Sequence, residues 1–258
     1  MHTLKMNTIN NNQLIFLGTA GGRFSVFNQI RKSGGIWFKL NNRLFAIDPG
    51  PGALIESIKR GLFPNRLSGI FLSHRHLDHC ADINSIIESM TEGGHKRRGC
   101  IIAPKAATDE DPVILNYNRN NFKLINTAEN SLYEIEGVKI DTKMKHKHTT
   151  ETYGAVFSFE NHSFAYIPDT KYFEDLAHSY QSDVVIANVV FCKEKKGFMH
   201  LNSNDIYKFL EIFKPKKMIM THFGLSFLNK KPWEIAREIT KKTAVDVVAA
   251  YDGMVVDI

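Results

Sequence analysis

The chain has no C-x-x-C pair, and its three cysteines, Cys80, Cys100 and Cys192, are isolated. That argues against a disulfide framework and against a thiolate zinc knuckle. No apolar run approaches the roughly 20 residues that cross a bilayer, so no membrane partner is expected. The first residues, Met1 to Asn7, lack the apolar centre of a secretory signal, and a cytoplasmic location is the expectation. An excess of one charge is also missing. The formal net charge of +6 is mild for 258 residues and only tilts the expectation toward anionic substrates. Basic residues fall in short clusters: Lys96-Arg97-Arg98, Lys193 with Lys195-Lys196, Lys214 with Lys216-Lys217, and Lys230-Lys231. Lys96-Arg97-Arg98, in a loop after Gly93-Gly94, is the leading candidate to touch substrate.

What the chain does have is an ordinary globular composition, 43% hydrophobic and 23% charged, which makes a folded core the expectation and disorder an unlikely alternative. Short apolar runs alternate with helical spacing. Leu14 to Leu17 reads as a strand that ends in the turn Gly18 to Gly22. Ile36 to Leu40 and Leu44 to Ile47 flank Asn41-Asn42, a hairpin signal. Ala53 to Arg60 and Asp82 to Met90 read as helices, Ile70 to Leu72 and Ile101 to Ala103 as strands. Asp109 to Asn121 is polar and reads as irregular with one helical turn. Two more hairpins follow: Leu132 to Ile135 with Val138 to Met144, and Tyr153 to Phe159 with Ser163 to Ile167. The C-terminal part alternates strand and helix: Val184 to Ala187, Ser203 to Phe213, Met218 to Met220, Pro232 to Thr240, Val245 to Ala249 and Met254 to Val256. Hairpins followed by strand-helix units predict two mixed sheets with helices outside, in one domain over residues 1–258.

The most informative segment is His74-Arg75-His76-Leu77-Asp78-His79, an H-x-H-x-D-H cluster directly after the apolar run Gly69 to Leu72. Three imidazoles and a carboxylate on one short loop make poor core material. They suit a pair of neighbouring metal ions, because imidazole nitrogen and carboxylate oxygen are zinc ligands. Further candidates stand at later strand ends: Asp48, His148, Asp169 and His222. His146, two positions before His148, competes with it, because on a strand the two would share a face. Cys80 follows the cluster and reads first as a small buried residue.

With these residues in this order, the chain resembles the metallo-β-lactamase superfamily over nearly its whole length. The resemblance implies an α/β fold, an αββα four-layer sandwich with the site on one edge. It implies that His74, His76 and His148 hold one divalent cation, that Asp78, His79 and His222 hold a second, and that Asp169 bridges them. Zn2+ is the first expectation, with Mn2+ or Fe2+ open. Asp48 matches the family's strand-end aspartate, which supports the ligand loop from behind. The spacing H-x5-G from His148 to Gly154 fits the family and favours His148 over His146.

Three details choose a branch. Position 76 is histidine, where the oxygen-reducing di-iron branch carries a carboxylate. The segment around His148 differs from the P-G-H-T-x-G of glyoxalase II. The stretch Gly197 to Asp205, followed by a helix and then Lys214 to Gly224, is similar to the tail of ribonuclease Z and its phosphodiesterase relatives, with His200 at the matching histidine. No long Gly/Pro-rich insertion resembles the arm by which ribonuclease Z grips transfer RNA, which points to a smaller phosphodiester or nucleotide. The resemblance therefore implies a hydrolase in which two cations activate a bridging hydroxide. Asp78 would bind a cation and steer the nucleophile, and His200 would donate to the departing oxygen. Hydrolysis of a lactone, β-lactam or thioester is the alternative, and a metal-dependent nucleic-acid or partner-binding module without catalysis is the second. RNA and a homodimer stay open as partners.

Overall fold

Short polar turns between apolar runs make hairpins, helical crossovers make parallel pairs, and each half of the chain uses the first device and then the second. The computed structural model describes residues 12–40, 42–109 and 111–258. The signal-peptide reading of Met1 to Asn7, His2, and Asn41 of the first hairpin turn lie outside the described residues.

The first half contains β1 (Gln13–Phe16), α1 (Arg23–Phe27), β2 (Ile36–Leu40), β3 (Arg43–Ile47), α2 (Ala53–Lys59), β4 (Leu67–Phe71), α3 (Leu77–Cys80), α4 (Ile83–Met90), β5 (Cys100–Ala103) and β6 (Lys123–Asn126). The second contains β7 (Ser131–Ile135), β8 (Val138–Thr142), β9 (Ala155–Phe159), β10 (His162–Ile167), α5 (Asp175–Ser179), β11 (Val184–Phe191), β12 (Leu201–Asn202) and α6 (Ser203–Ile212). It closes with β13 (Lys217–Thr221), α7 (Leu225–Leu228), α8 (Pro232–Thr243), β14 (Asp246–Ala249) and β15 (Val255–Asp257). Two mixed sheets result, in the orders β15-β1-β2-β3-β4-β5-β6 and β14-β13-β11-β10-β9-β8-β7, with β12 pairing β11. Pairing is antiparallel through β1-β2-β3 and β7-β8-β9-β10, and parallel from β3 to β6 and from β10 to β14.

Side-chain alternation sorts residues into three cores. Between the sheets lie Phe38, Phe45 and Phe71 of the first and Phe157, Phe164 and Ile186 of the second. Phe38 is the centre: it stacks on Phe45 at 4.8 Å and meets Phe157 and Phe164 edge-on at 5.1 and 5.0 Å. The neighbouring Trp37 faces outward into the core under α4, with Ile83, Ile86 and Ile87. Behind the second sheet, Leu176, Ile206, Phe209 and Ile239 of α5, α6 and α8 form the third core. This is the expected αββα sandwich. No helix among the described residues is long and apolar enough to cross a membrane.

The differences from the sequence expectation have local causes. Residues 123–126 form β6 in a stretch too polar to read as a strand, because an edge strand needs only one neighbour and leaves its other side to water. Strand β11 runs through Asn188 to Phe191 instead of ending at Ala187. Helices α1, α3 and α5 have only four or five residues each, too short to show a helical period.

Replacing Phe38 with alanine should cost about 3–5 kcal/mol of stability, because it empties the junction of the two sheets. A fall in urea midpoint at unchanged slope would show it. A loss below about 1 kcal/mol would mean the aromatic cluster does not hold the sheets together.

Candidate metal centre

Parallel strands end at the same edge, so the residues that follow them meet there. Asp48 follows β3, His74 to His79 follow β4, Asp169 follows β10 and His222 follows β13. His148 arrives from the loop between β8 and β9, and His200 from the loop between β11 and β12. All seven candidate ligands and His200 are brought into one cluster.

Of three donor groups there, Asp48 with His74 and His79 has its carboxylate taken up by hydrogen bonds, which leaves two. In the first, His76 Nδ1 stands 3.1 Å from His74 Nε2 and 3.2 Å from His148 Nε2. In the second, Asp78 Oδ2 lies 3.8 Å from His79 Nε2 and 3.6 Å from His222 Nε2. Asp169 lies between them. Its Oδ2 is 4.0 Å from His74 Nε2, 3.6 Å from His79 Nε2 and 3.4 Å from His200 Nδ1, and its Oδ1 is 3.4 Å from His222 Nε2.

Hydrogen bonds behind the imidazoles decide which nitrogen carries the proton. Ser73 Oγ donates to Asp48 Oδ2 at 2.6 Å, so it can only accept from His74 Nδ1 at 2.9 Å. His79 Nδ1 donates to Asp48 Oδ2 at 2.9 Å, and His148 Nδ1 donates to the Met199 carbonyl at 3.1 Å. In its neutral form each ring then turns an unprotonated Nε2 inward. His76 is reversed: Nδ1 faces in, and Nε2 lies 3.4 Å from Thr149 Oγ1. Tyr166 Oη donates to Asp48 Oδ2 at 2.7 Å. The two Nδ2 protons of Asn188 reach Tyr166 Oη at 3.3 Å and Asp169 Oδ1 at 3.0 Å. One buried network thus runs from the ligand loop to Asp169.

Two glycines make the close approach workable. A Cβ on Gly21 would sit 2.1 Å from the His222 carbonyl, and one on Gly50 would sit 2.1 Å from the Asp78 carbonyl. Both Asp48 (φ 48°) and His222 (φ 62°) are left-handed, a conformation that costs a non-glycine residue about 1 kcal/mol or more. The chain reverses at these two positions directly after a strand.

The donors fit divalent cations. Ligand nitrogens about 2.0–2.1 Å from one tetrahedral zinc stand about 3.3–3.4 Å apart, close to the spacing of the three-histidine group. His79 Nε2, His222 Nε2 and His200 Nδ1 are buried and make no hydrogen bond among the described residues. Buried polar atoms without partners are rare and call for one.

The two groups differ electrically. Burial, the largest influence on His74, drives its pKa well below the ordinary imidazole value, and the His79 charge adds to this. His76 and His148 are lowered as well, again by burial first. His79 goes the other way: burial lowers it, but Asp78, Asp169 and Asp48 together raise it well above the usual range. Burial would lift the Asp169 carboxyl, yet His222, His200 and His79 hold it well below the usual carboxylate range.

Some expectations need correction. His146 and His148 do not share a face, because residues 143–154 leave the strand as a loop. His146 points away from the cluster, with Nε2 at 2.8 Å from Tyr180 Oη, and burial drops its pKa to about 3. Lys96-Arg97-Arg98 lies before β5, at the opposite end of the parallel strands from the cluster. Lys96 pairs with Glu92, and Arg98 donates to the Asn65 and Leu67 carbonyls, so this segment serves the fold. The Cys80 thiol is buried, donates to the Arg75 carbonyl at 3.3 Å, and is pushed up to about 12, mainly by burial. Sequence reasoning missed Ser73, Tyr166 and Asn188. The signal for Asn188 was present, as one amide inside the apolar run Val184 to Phe191.

Two facing mixed sheets that share an edge lined by histidine and aspartate define the metallo-β-lactamase fold, whose donor cluster implies divalent metal. Residues 43–223 match the family described as beta-lactamase superfamily domain, and the chain belongs to that superfamily. An uncharacterized protein of Methanocaldococcus jannaschii is 28% identical over 95% of both chains. Ribonuclease Z of Methanosarcina mazei is 29% identical over 50% of this chain but only 38% of its own length. Among solved structures, the metallo-beta-lactamase fold protein YhfI from Bacillus subtilis superposes with TM-score 0.80 at 18% identity, covering 96% of this chain and all of that one. The short form of human tRNase Z gives 0.69 at 16% identity over 95% and 98% of the two chains.

Replacing Asp48 with asparagine keeps the shape but loses an acceptor for His79 Nδ1–H and Ser73. Metal affinity should fall by roughly 10–100-fold, measured by competition with a chromogenic chelator. Unchanged affinity would show that the carboxylate does not orient the rings.

Proposed function

We propose that the chain is a metal-dependent phosphodiesterase with a dinuclear centre in a single hydrolase domain, acting on a phosphodiester smaller than transfer RNA. His74, His76 and His148 would hold one divalent cation, Asp78, His79 and His222 the other, with Asp169 between them. Zinc is the favoured metal, because five of the seven ligands are imidazoles, which suit it, beside two harder carboxylates. The cations would supply Lewis acidity at the phosphoryl oxygens and a lowered pKa for attacking water.

The chain's own groups do the rest. Asp78, the more exposed of the two candidate carboxylates at 22%, accepts a hydrogen bond from the attacking water and orients it. Asp169, held ionised and fixed by Asn188, keeps the two halves in register. His200 supplies an N–H to the departing oxygen. Burial lowers its pKa and Asp169 pushes back, so at neutral pH the ring is uncharged and offers one N–H as a hydrogen bond to the departing oxygen, which takes its proton from water, without repelling the cations.

The observation that carries the reading is the position of His200. Its Nδ1 is 3.4 Å from Asp169 Oδ2 and its ring lies 5.1 Å from that of His148. A proton donor beside the cluster serves an alkoxide leaving group, whereas opening a lactone or thioester does not require one there. The curated relative named ribonuclease Z and the likeness to human tRNase Z support the same chemistry. Residues 111–130 fold onto the first sheet through β6 and the buried Ile114 rather than projecting as an arm, which favours a small substrate.

His200→Ala should keep its full metal content and lose roughly 100-fold or more in turnover of bis-p-nitrophenyl phosphate. An unchanged rate removes His200 from the mechanism, and faster turnover of a homoserine lactone or thioester in the same panel overturns the phosphodiester reading.

Acid should release the cations in order. Without metal, His74, His76 and His148, lowered from 6.5, stay neutral below that pH, whereas His79, raised well above 6.5, holds a proton that a cation must displace. As pH falls toward 6.5 from above, elemental analysis after dialysis should show the stoichiometry dropping from two to one, with the three-histidine group emptying only below 6.5. Simultaneous loss of both would contradict this.

A further inference from the structure

The loop of residues 192–200, between β11 and β12, is anchored at both ends of the candidate site. Ser203 Oγ donates to the Cys192 carbonyl at 2.5 Å, and the Met199 carbonyl accepts from His148 Nδ1. Between these anchors the loop turns at Lys195, whose carbonyl accepts from Phe198 N at 3.2 Å. Phe198 is nonetheless 55% exposed.

That exposed ring is not loose. Phe191 meets it edge-to-face at 5.5 Å, and Phe191 in turn lies 6.0 Å from the His200 ring. Lys195 Nζ sits 4.9 Å from the Phe191 centroid and 5.8 Å from that of Phe198. The result is an aromatic surface held by a second ring, flanked by Lys193, Lys195 and Lys196, and two ring contacts away from His200. Of the chain's four basic clusters, this one lies in the loop that carries His200, and Lys230 of another stands within electrostatic reach of that loop at Cys192. Lys96-Arg97-Arg98 and Lys214 with Lys216-Lys217 lie at the opposite strand ends, and Lys231 is paired with Glu234.

A planar apolar face beside lone cations complements a molecule that is planar and apolar at one end and anionic at the other. We infer that this loop is a nucleobase platform: Phe198 stacks the base of a nucleotide whose phosphate lies at the candidate metal centre, and Lys195 and Lys196 offset its remaining charge. The inference rests on the phosphodiesterase reading and narrows its substrate class to nucleotide phosphodiesters. Stacking tolerates any base, because every base has a π-face, so the platform selects for a base without selecting which one.

The test compares binding of adenosine 5′-monophosphate and ribose 5-phosphate to the metal-loaded protein by calorimetry. The wild type should prefer the nucleotide by roughly 10-fold. Phe198→Ala should abolish the preference while leaving ribose 5-phosphate affinity, melting temperature and metal content unchanged, and Phe198→Trp should restore it. Equal binding of both ligands by the wild type, no binding of either, or an equal loss for both in Phe198→Ala overturns the platform. Turnover of bis-p-nitrophenyl phosphate is scored separately. Its absence alongside an intact, Phe198-dependent base preference would sink the hydrolytic reading and not the platform.

Discussion

Asp48 is buried at 3% exposure and accepts from Ser73 N, Ser73 Oγ, His79 Nδ1 and Tyr166 Oη. A carboxylate offers about four lone-pair sites, so this one is saturated. Its donors come from the ligand loop after β4, from α3 and from β10. The same four bonds therefore join the two sheets and fix the proton positions on His74 and His79. A buried charge is tolerated only when it is this fully engaged. Through Tyr166 and Asn188 the constraint reaches Asp169, so the geometry of the cluster is a property of the sandwich and not of its loops alone.

The backbone carries the cost of that arrangement at two places. Asp48 and His222 reverse the chain in the left-handed region, and Gly21 and Gly50 give up their side chains so that the carbonyls of His222 and Asp78 can approach. Neither compromise helps the fold by itself. Strain held in place by packing, at positions whose side chains converge on one cluster, is the pattern of a preorganised site.

The architecture was legible because its signals are periodic. Hairpin turns and the helical face of Ile83, Ile86 and Ile87 each state a local rule, and each held, while H-x-H-x-D-H marked the loop on which the donors converge. His148 was separable from His146 only through the H-x5-G resemblance. Their real difference, a loop that sends one ring to Tyr180 and the other to His76, depends on long-range packing. The network behind the ligands was invisible for the same reason. Tyr166 and Asn188 lie in strands whose neighbours are apolar, and their partners are more than 100 and about 20 residues away. Among the basic clusters the glycine-flanked Lys96-Arg97-Arg98 stood out in sequence, and the strand directions place it and Lys214 to Lys217 at the end away from the site.

At the edge of the first sheet opposite β6 lies β15, paired antiparallel with β1 from Gln13↔Asp257 to Ile15↔Val255. Asp252, just before it, accepts from Thr19 and from the Lys32 backbone, and so holds the turn that carries Gly21. During synthesis, β1 leaves the ribosome long before this partner exists. The first sheet must therefore wait with an open margin, and the wall beside His222 is completed only when Asp252 and β15 arrive. Contacts of such long sequence separation slow folding. A nascent chain would gain from protection of β1 until β15 has emerged.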